Sequence, residues 1–162
     1  MTEKPIFARV QRKMIAARIE FLAALARVQS IELPNIPTEE ECSPLQIAYH
    51  LSITDGLALE QMYRIQEEDT PQIINIAEIA THTPVNLSSP SSLPSILATM
   101  TAQREAIFRY LASLPESAWA RSFHQEQWGQ HKFEQFINLL PLHDKLATHQ
   151  LEMIRARRTQ SS

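Results

Sequence analysis

The sequence predicts an all-α fold, a four-helix bundle with one long crossover between its second and third helices. Three observations carry this. Apolar residues return at three- and four-residue steps through four long segments, the signature of helices with a buried face. Glycine occurs only twice in 162 residues, which argues against tight hairpins and phosphate-cradling loops. Ala, Leu, Ile, Gln and Glu are abundant, as in helical proteins.

The elements follow in order. Phe7, Val10, Met14, Ala17, Phe21, Ala24 and Val28 place a first helix over Pro5 to Gln29. Leu33-Pro34-Asn35-Ile36-Pro37 ends it in a loop. Ser43-Pro44 reads as an N-cap followed by proline at the first helical position, opening a second helix over Pro44 to Glu67. Gly56 inside it suits close helix packing. A short helix is expected over Gln72 to Thr81. His82 to Ser92, rich in Pro, Ser and Asn, reads as a surface connection long enough for parallel neighbours. The third helix covers Ser92 to Leu114, with Ile96, Met100, Ile107, Tyr110 and Leu111 on its apolar face. Pro115 to Gln130 reads as irregular, with at most a helical turn at Trp119. The fourth helix covers His131 to Arg158, kinked one turn before His143 because Pro141 leaves the Ile137 carbonyl without its donor. Residues 1–158 thus form one domain and 159–162 a frayed tail.

Composition excludes several classes. A net charge of -3 offers no basic footprint for nucleic acid. No stretch approaches the roughly 20 apolar residues that span a bilayer. The first apolar segment is interrupted by Arg9, Arg12, Lys13, Arg18 and Glu20, as suits an amphipathic helix rather than a leader. The single cysteine, Cys42, excludes an internal disulfide and suits a reducing cytoplasm; its bland reading is a small buried residue.

Two histidines fall on apolar helix faces. On the last helix Phe133, Phe136, Leu140, His143, Ala147, Leu151 and Ile154 share one stripe, with Leu139, Leu142, Leu146 and Met153 beside it. Asn138, Lys145, Thr148 and Glu152 fall opposite, and His149 lies at the edge. On the second helix His50 shares a line with Thr54, Leu57 and Gln61. Two inward imidazoles on different helices can hold a metal, and such sites usually add a donor at i+4. That position is Ala147. Asp144 reads as a solvated carboxylate, or as a group that orients an imidazole. His124, Trp128 and His131 cluster before the last helix and read as packing over a bundle end.

The segments "IAYHLSITD", with His50 and Asp55, and "LLPLHDKLATHQLEMI", with His143, Asp144 and Gln150, resemble the DinB-like superfamily of four-helix metalloenzymes. That family carries a histidine early in its second helix and His-Asp/Glu-x-x-His-x-x-Gln on its last. "SPLQIAYH" and "LASLPESAWARSF" resemble its approach to the second helix and its third-to-fourth link. The resemblance covers almost the whole chain. It implies His50 and His143 as metal ligands, a divalent ion such as zinc or nickel, thiol-transfer or hydrolase-type chemistry on a small-molecule or thiol substrate, and a homodimer. Ala147 stands at the third ligand, which makes the histidine triad degenerate. His149 lies about 120° around the helix from His143 and does not replace it. Asp144, Gln150 or solvent remains as a third donor. The alternative expectation is a non-catalytic, metal-free helical dimer that binds a small ligand or protein partner.

Overall fold

The helix starts are set by local chemistry. The Ser43 hydroxyl accepts from the Gln46 backbone N–H at 3.2 Å, and the Ser43 N–H donates to Gln46 Oε1 at 2.8 Å. This reciprocal capping box, with Pro44 at the first turn, opens α2 (Pro44–Glu67) as expected. Ser92 caps α3 (Leu93–Ser113) in the same way, accepting from Ser95 N–H at 3.2 Å. The helix α1 (Pro5–Ala26) tightens at its end, where Arg27 and Val28 donate to the Ala24 and Leu25 carbonyls. The computed structural model describes residues 5–28, 43–76, 78–79 and 92–161, with side chains described to residue 157. Cys42 and the crossover at 82–91 lie outside the described residues, as does most of the short helix expected over Gln72 to Thr81, of which helix is described at Ile76, Glu78 and Ile79.

Beyond α3 the chain departs from the sequence expectation. A short 3-10 helix, Glu116–Ala120, leads into an antiparallel hairpin of β1 (Ser122–Gln125) and β2 (Gly129–Lys132), with Phe123 opposite His131. The scarcity of glycine argued against such a hairpin, but one glycine is enough. The Trp128 N–H donates to the Gln125 carbonyl, and Gly129 follows at φ 79°. That is a turn closed by a left-handed residue, the usual three-residue hairpin loop. His124 exchanges backbone hydrogen bonds with Pro71 and Ile73, tying the chain after α2 to the hairpin.

The expected fourth helix is broken rather than kinked. It runs as α4 (Phe133–Ile137), a turn at Asn138, and α5 (Leu139–Ser161). Pro141 therefore lies in the first turn of α5, where its missing N–H costs no ladder bond. Helical backbone continues through Ser161, into the segment expected to fray.

The core divides into two clusters. One joins Val10 and Met14 of α1, Ala58, Met62 and Ile65 of α2, Ile107 and Leu111 of α3, and Leu140 of α5 with Trp119, Phe123, Phe133 and Phe136. The other joins Phe21 and Leu25, Ile47 and Leu51, Ile96 and Met100, and Ala147, Leu151 and Ile154. The amino-terminal halves of α1 and α5 thus meet the carboxyl-terminal halves of α2 and α3. Helices α2 and α3 run parallel, as the long crossover predicted, and antiparallel to α1 and α5. Packing is extensive between α1 and α5 and between α2 and α3, intermediate between α2 and α5, and slight between α1 and α3. The bundle closes around three seams and stays partly open along the fourth. Gly56 marks one close approach, since a Cβ there would meet Gln103 Nε2 of α3 at 2.9 Å.

Candidate functional site

His143 is carried one turn past the helix break. Its ring faces a small cavity of about 10 Å³, walled by Ile73, Ile76, Phe123, Trp128 and Phe136 among others. Its Nδ1 is buried with no hydrogen-bond partner. Burial among apolar side chains holds the imidazole pKa below its ordinary 6.5; the Asp55 charge opposes this and Arg104 adds to it. The folded protein therefore presents a neutral imidazole with a nitrogen available to a donor, an ion or a ligand. On the outer side of Phe123, Trp128 and Leu139, which wall both spaces, lies a hollow of about 470 Å³ that also touches His131 and Gln135.

His50 is half-buried on α2, between Ile47 and Leu51 of the second cluster. Its carbonyl accepts from Thr54 Oγ1 at 2.9 Å, and its ring centroid lies 6.1 Å from that of Tyr49. It does not line the His143 cavity. Ala147, at the i+4 position, is 6% exposed and packs in the second cluster with Leu151 and Ile154. His149 and Gln150 are exposed. Among the described residues no three His, Cys, Asp or Glu side chains are grouped to hold a metal ion. The donor set suits a metal only in part: His143 supplies a neutral, unpartnered nitrogen, but an apolar methyl stands at the third ligand position.

Asp144 is not the solvated carboxylate that the helix wheel favours. It is fully buried and belongs to a four-residue ion network that the helix wheels do not show. Arg18 Nη2 of α1 donates to Asp55 Oδ2 at 2.9 Å and to Asp144 Oδ1 at 3.1 Å. Arg104 Nη2 of α3 donates to Asp55 Oδ1 at 3.0 Å and, more loosely, to both Asp144 oxygens at 3.4 Å. Each of the four long helices contributes one charge, and the two signs balance. The cost of burying Asp144 exceeds the attraction of Arg104 and Arg18, so its carboxyl sits above the ordinary 3.8. The attraction of Asp55 and Asp144 outweighs burial at Arg18 and raises its pKa, keeping the guanidinium charged. A signal was available. Arg18 falls among Met14, Ala17 and Phe21, and Arg104 between Met100 and Ile107, on the inward stripes of their helices. Thr148, expected on the polar side, is buried as well and donates to the Asp144 carbonyl at 2.9 Å.

The loop histidines have structural work. His131 places its ring nitrogens 2.9 Å from the Trp128 carbonyl and 3.2 Å from Gln135 Oε1, bracing the hairpin turn. His124 is exposed. At the other edge of α5, Leu142, Leu146 and Met153 are exposed in one apolar stripe. No described helix is long and apolar enough to cross a membrane.

A four-helix bundle with parallel α2 and α3, and a histidine cavity at the end closed by a hairpin, defines the class of protein. The chain belongs to the DinB superfamily, which it matches over residues 14–151. Among solved structures, it is similar to YfiT from Bacillus subtilis, described as a probable metal-dependent hydrolase with an unusual four-helix bundle topology. The TM-score is 0.78 at 13% identity, over 98% of this chain and 91% of that one. It is also similar to TT2238, a four-helix bundle protein, with a TM-score of 0.63 at 17% identity over 93% and 98%. At these identities the likeness concerns the fold. Comparison with curated proteins found no match.

Proposed function

We propose that this chain is a small-molecule-binding bundle built on a metal-dependent scaffold whose metal centre has degenerated. The observation that carries this is the apolar burial of Ala147 one turn after His143, a position that a third ligand would occupy. The acidic neighbours offer no substitute, because Asp55 and Asp144 are committed to Arg18 and Arg104. The ligand occupies the hairpin end, where the aromatic hollow adjoins the neutral His143. That imidazole accepts a hydrogen bond or takes a proton from the bound molecule. The description of YfiT as a probable metal-dependent hydrolase supports a second role for the same residues. His50 and His143 then hold a zinc or nickel ion weakly, and the chemistry to screen is thiol transfer or hydrolysis. The exposed stripe of Leu142, Leu146 and Met153 supports a homodimer, and the lone cysteine supports a cytoplasmic setting.

The test is metal content by elemental analysis of the untagged protein, with His50→Ala, His143→Ala and Ala147→His alongside. The expected result is substoichiometric metal in the native chain, and metal affinity raised at least tenfold by Ala147→His if His50 and His143 retain ligand geometry. Stoichiometric metal in the native chain, lost in both histidine variants, would overturn the degenerate-site reading.

A further inference from the structure

The open seam between α1 and α3 carries a second site, remote from the histidines. It forms a groove of about 420 Å³ with Leu22, Leu97 and Met100 on its walls and Arg18, Arg104 and Thr101 along it. On α1 the exposed Ile15, Ile19 and Leu22 recur at i, i+4 and i+7, so the apolar wall continues for about 10 Å along the helix. Such a stripe beside a groove marks a ligand surface more often than isolated exposed leucines do.

The groove also has a polar floor. The side chains of Arg18 and Arg104 are only 11% and 8% exposed, and the Nε of each is buried without a hydrogen-bond partner. Buried guanidinium donors ordinarily find acceptors, so these two N–H groups are unmet capacity beneath an apolar surface. Their charge, by contrast, is already met by Asp55 and Asp144, and Glu105 adds a negative group to the lining. An anion entering here would be a third carboxylate for two arginines, beside a fourth. A neutral acceptor completes the hydrogen bonding without disturbing the charge balance.

We infer that the α1–α3 groove binds an elongated apolar molecule carrying an uncharged carbonyl, its chain along Leu22, Leu97 and Met100 and its oxygen toward Arg18 and Arg104. The probe is 2-octanone, titrated into the full chain with the Met100 methyl group followed by NMR. Octanoate and n-octane are the comparison ligands. Leu97→Trp and Thr101→Trp fill the groove from a half-buried and an exposed position, so at least one is expected to keep the native melting temperature. The expected result is a saturable shift at Met100, affinity reduced at least tenfold in the tryptophan variants and for octanoate, and no change in His143→Gln. Absence of a saturable shift would overturn the site. Equal affinity for octane would overturn the role of the arginine donors, and tighter binding of octanoate the requirement for a neutral head. Loss of binding in His143→Gln with retention in both tryptophan variants would place the ketone at the hairpin end instead and overturn the groove.

Discussion

Replacing Asp144 with leucine tests the buried ion network most directly. The native quartet is neutral, with side-chain exposures of 11% for Arg18, 8% for Arg104, 1% for Asp55 and 0% for Asp144. Asp144→Leu leaves two guanidinium groups sharing Asp55. Removing one partner of a buried pair costs about 3–5 kcal/mol, since the remaining charge is uncompensated. Arg18 is the more exposed arginine and its long stem can carry the charge toward water, which favours the lower end, about 3 kcal/mol. For a chain of this size that corresponds to a fall in melting temperature of about 6–12 °C. The variant Arg18→Met/Asp144→Leu removes the 3.1 Å pair and leaves Arg104 and Asp55 at 3.0 Å, a neutral remainder. Apolar replacement of a whole buried pair is often neutral, so the double variant should cost about 1 kcal/mol or less. Urea unfolding of the native chain, both single variants and the double variant gives the cycle. A double variant that costs the sum of the singles, within about 0.5 kcal/mol, would mean that the four charges do not act as a unit and would refute the reasoning.

Two further predictions concern His143 and the hairpin. The depressed pKa of His143 means that below pH 6.5 the unfolded chain binds its proton more readily than the folded one. Stability present above pH 6.5 is therefore lost as pH falls toward the folded-state value. Urea unfolding of His143→Leu between pH 7.5 and 5 should show a smaller loss than the native chain, and an identical loss would exclude the buried imidazole as its source. Gly129 has φ 79° and open space, with nothing within 4 Å, where a Cβ would stand, so Gly129→Ala costs only backbone strain, about 1–2 kcal/mol. Thermal melting with an unchanged far-ultraviolet spectrum checks this, and a neutral substitution would mean the turn adopts another conformation.

The legible elements are those whose signal lies within a few residues. Ser43, Pro44 and Gln46 place the start of α2 by a capping box that closes over one turn. The spacing of Met14, Ala17 and Phe21 likewise places the buried face of α1. The hairpin escapes an argument from glycine content because composition averages over the whole chain, whereas one left-handed residue at Gly129 suffices. The break at Asn138 is hidden for a related reason. Proline is at home in the first turn of a new helix as well as at a kink, and only the packing of Phe133, Phe136 and Ile137 beneath the hairpin decides between the two.

At the candidate site, residue identity is informative but partnership is not. His143 is legible as an inward histidine because its neighbours at three- and four-residue steps are apolar. Asp144, one residue on, looks solvated because a wheel drawn for one helix does not show what faces it.

Taken alone, the sequence determined the helical class, the caps, the inward faces and the alanine at position 147. All of these depend on covalent order and on interactions within about one helical turn. Only the tertiary structure decided that Asp55 and Asp144 are neutralised by Arg18 and Arg104, that the α1–α3 seam stays open, and that His143 ends in a cavity behind the hairpin. Those outcomes depend on which helices become neighbours. Burying a charge is tolerable only when its partner arrives from another helix, so the network exists only once the whole bundle has assembled.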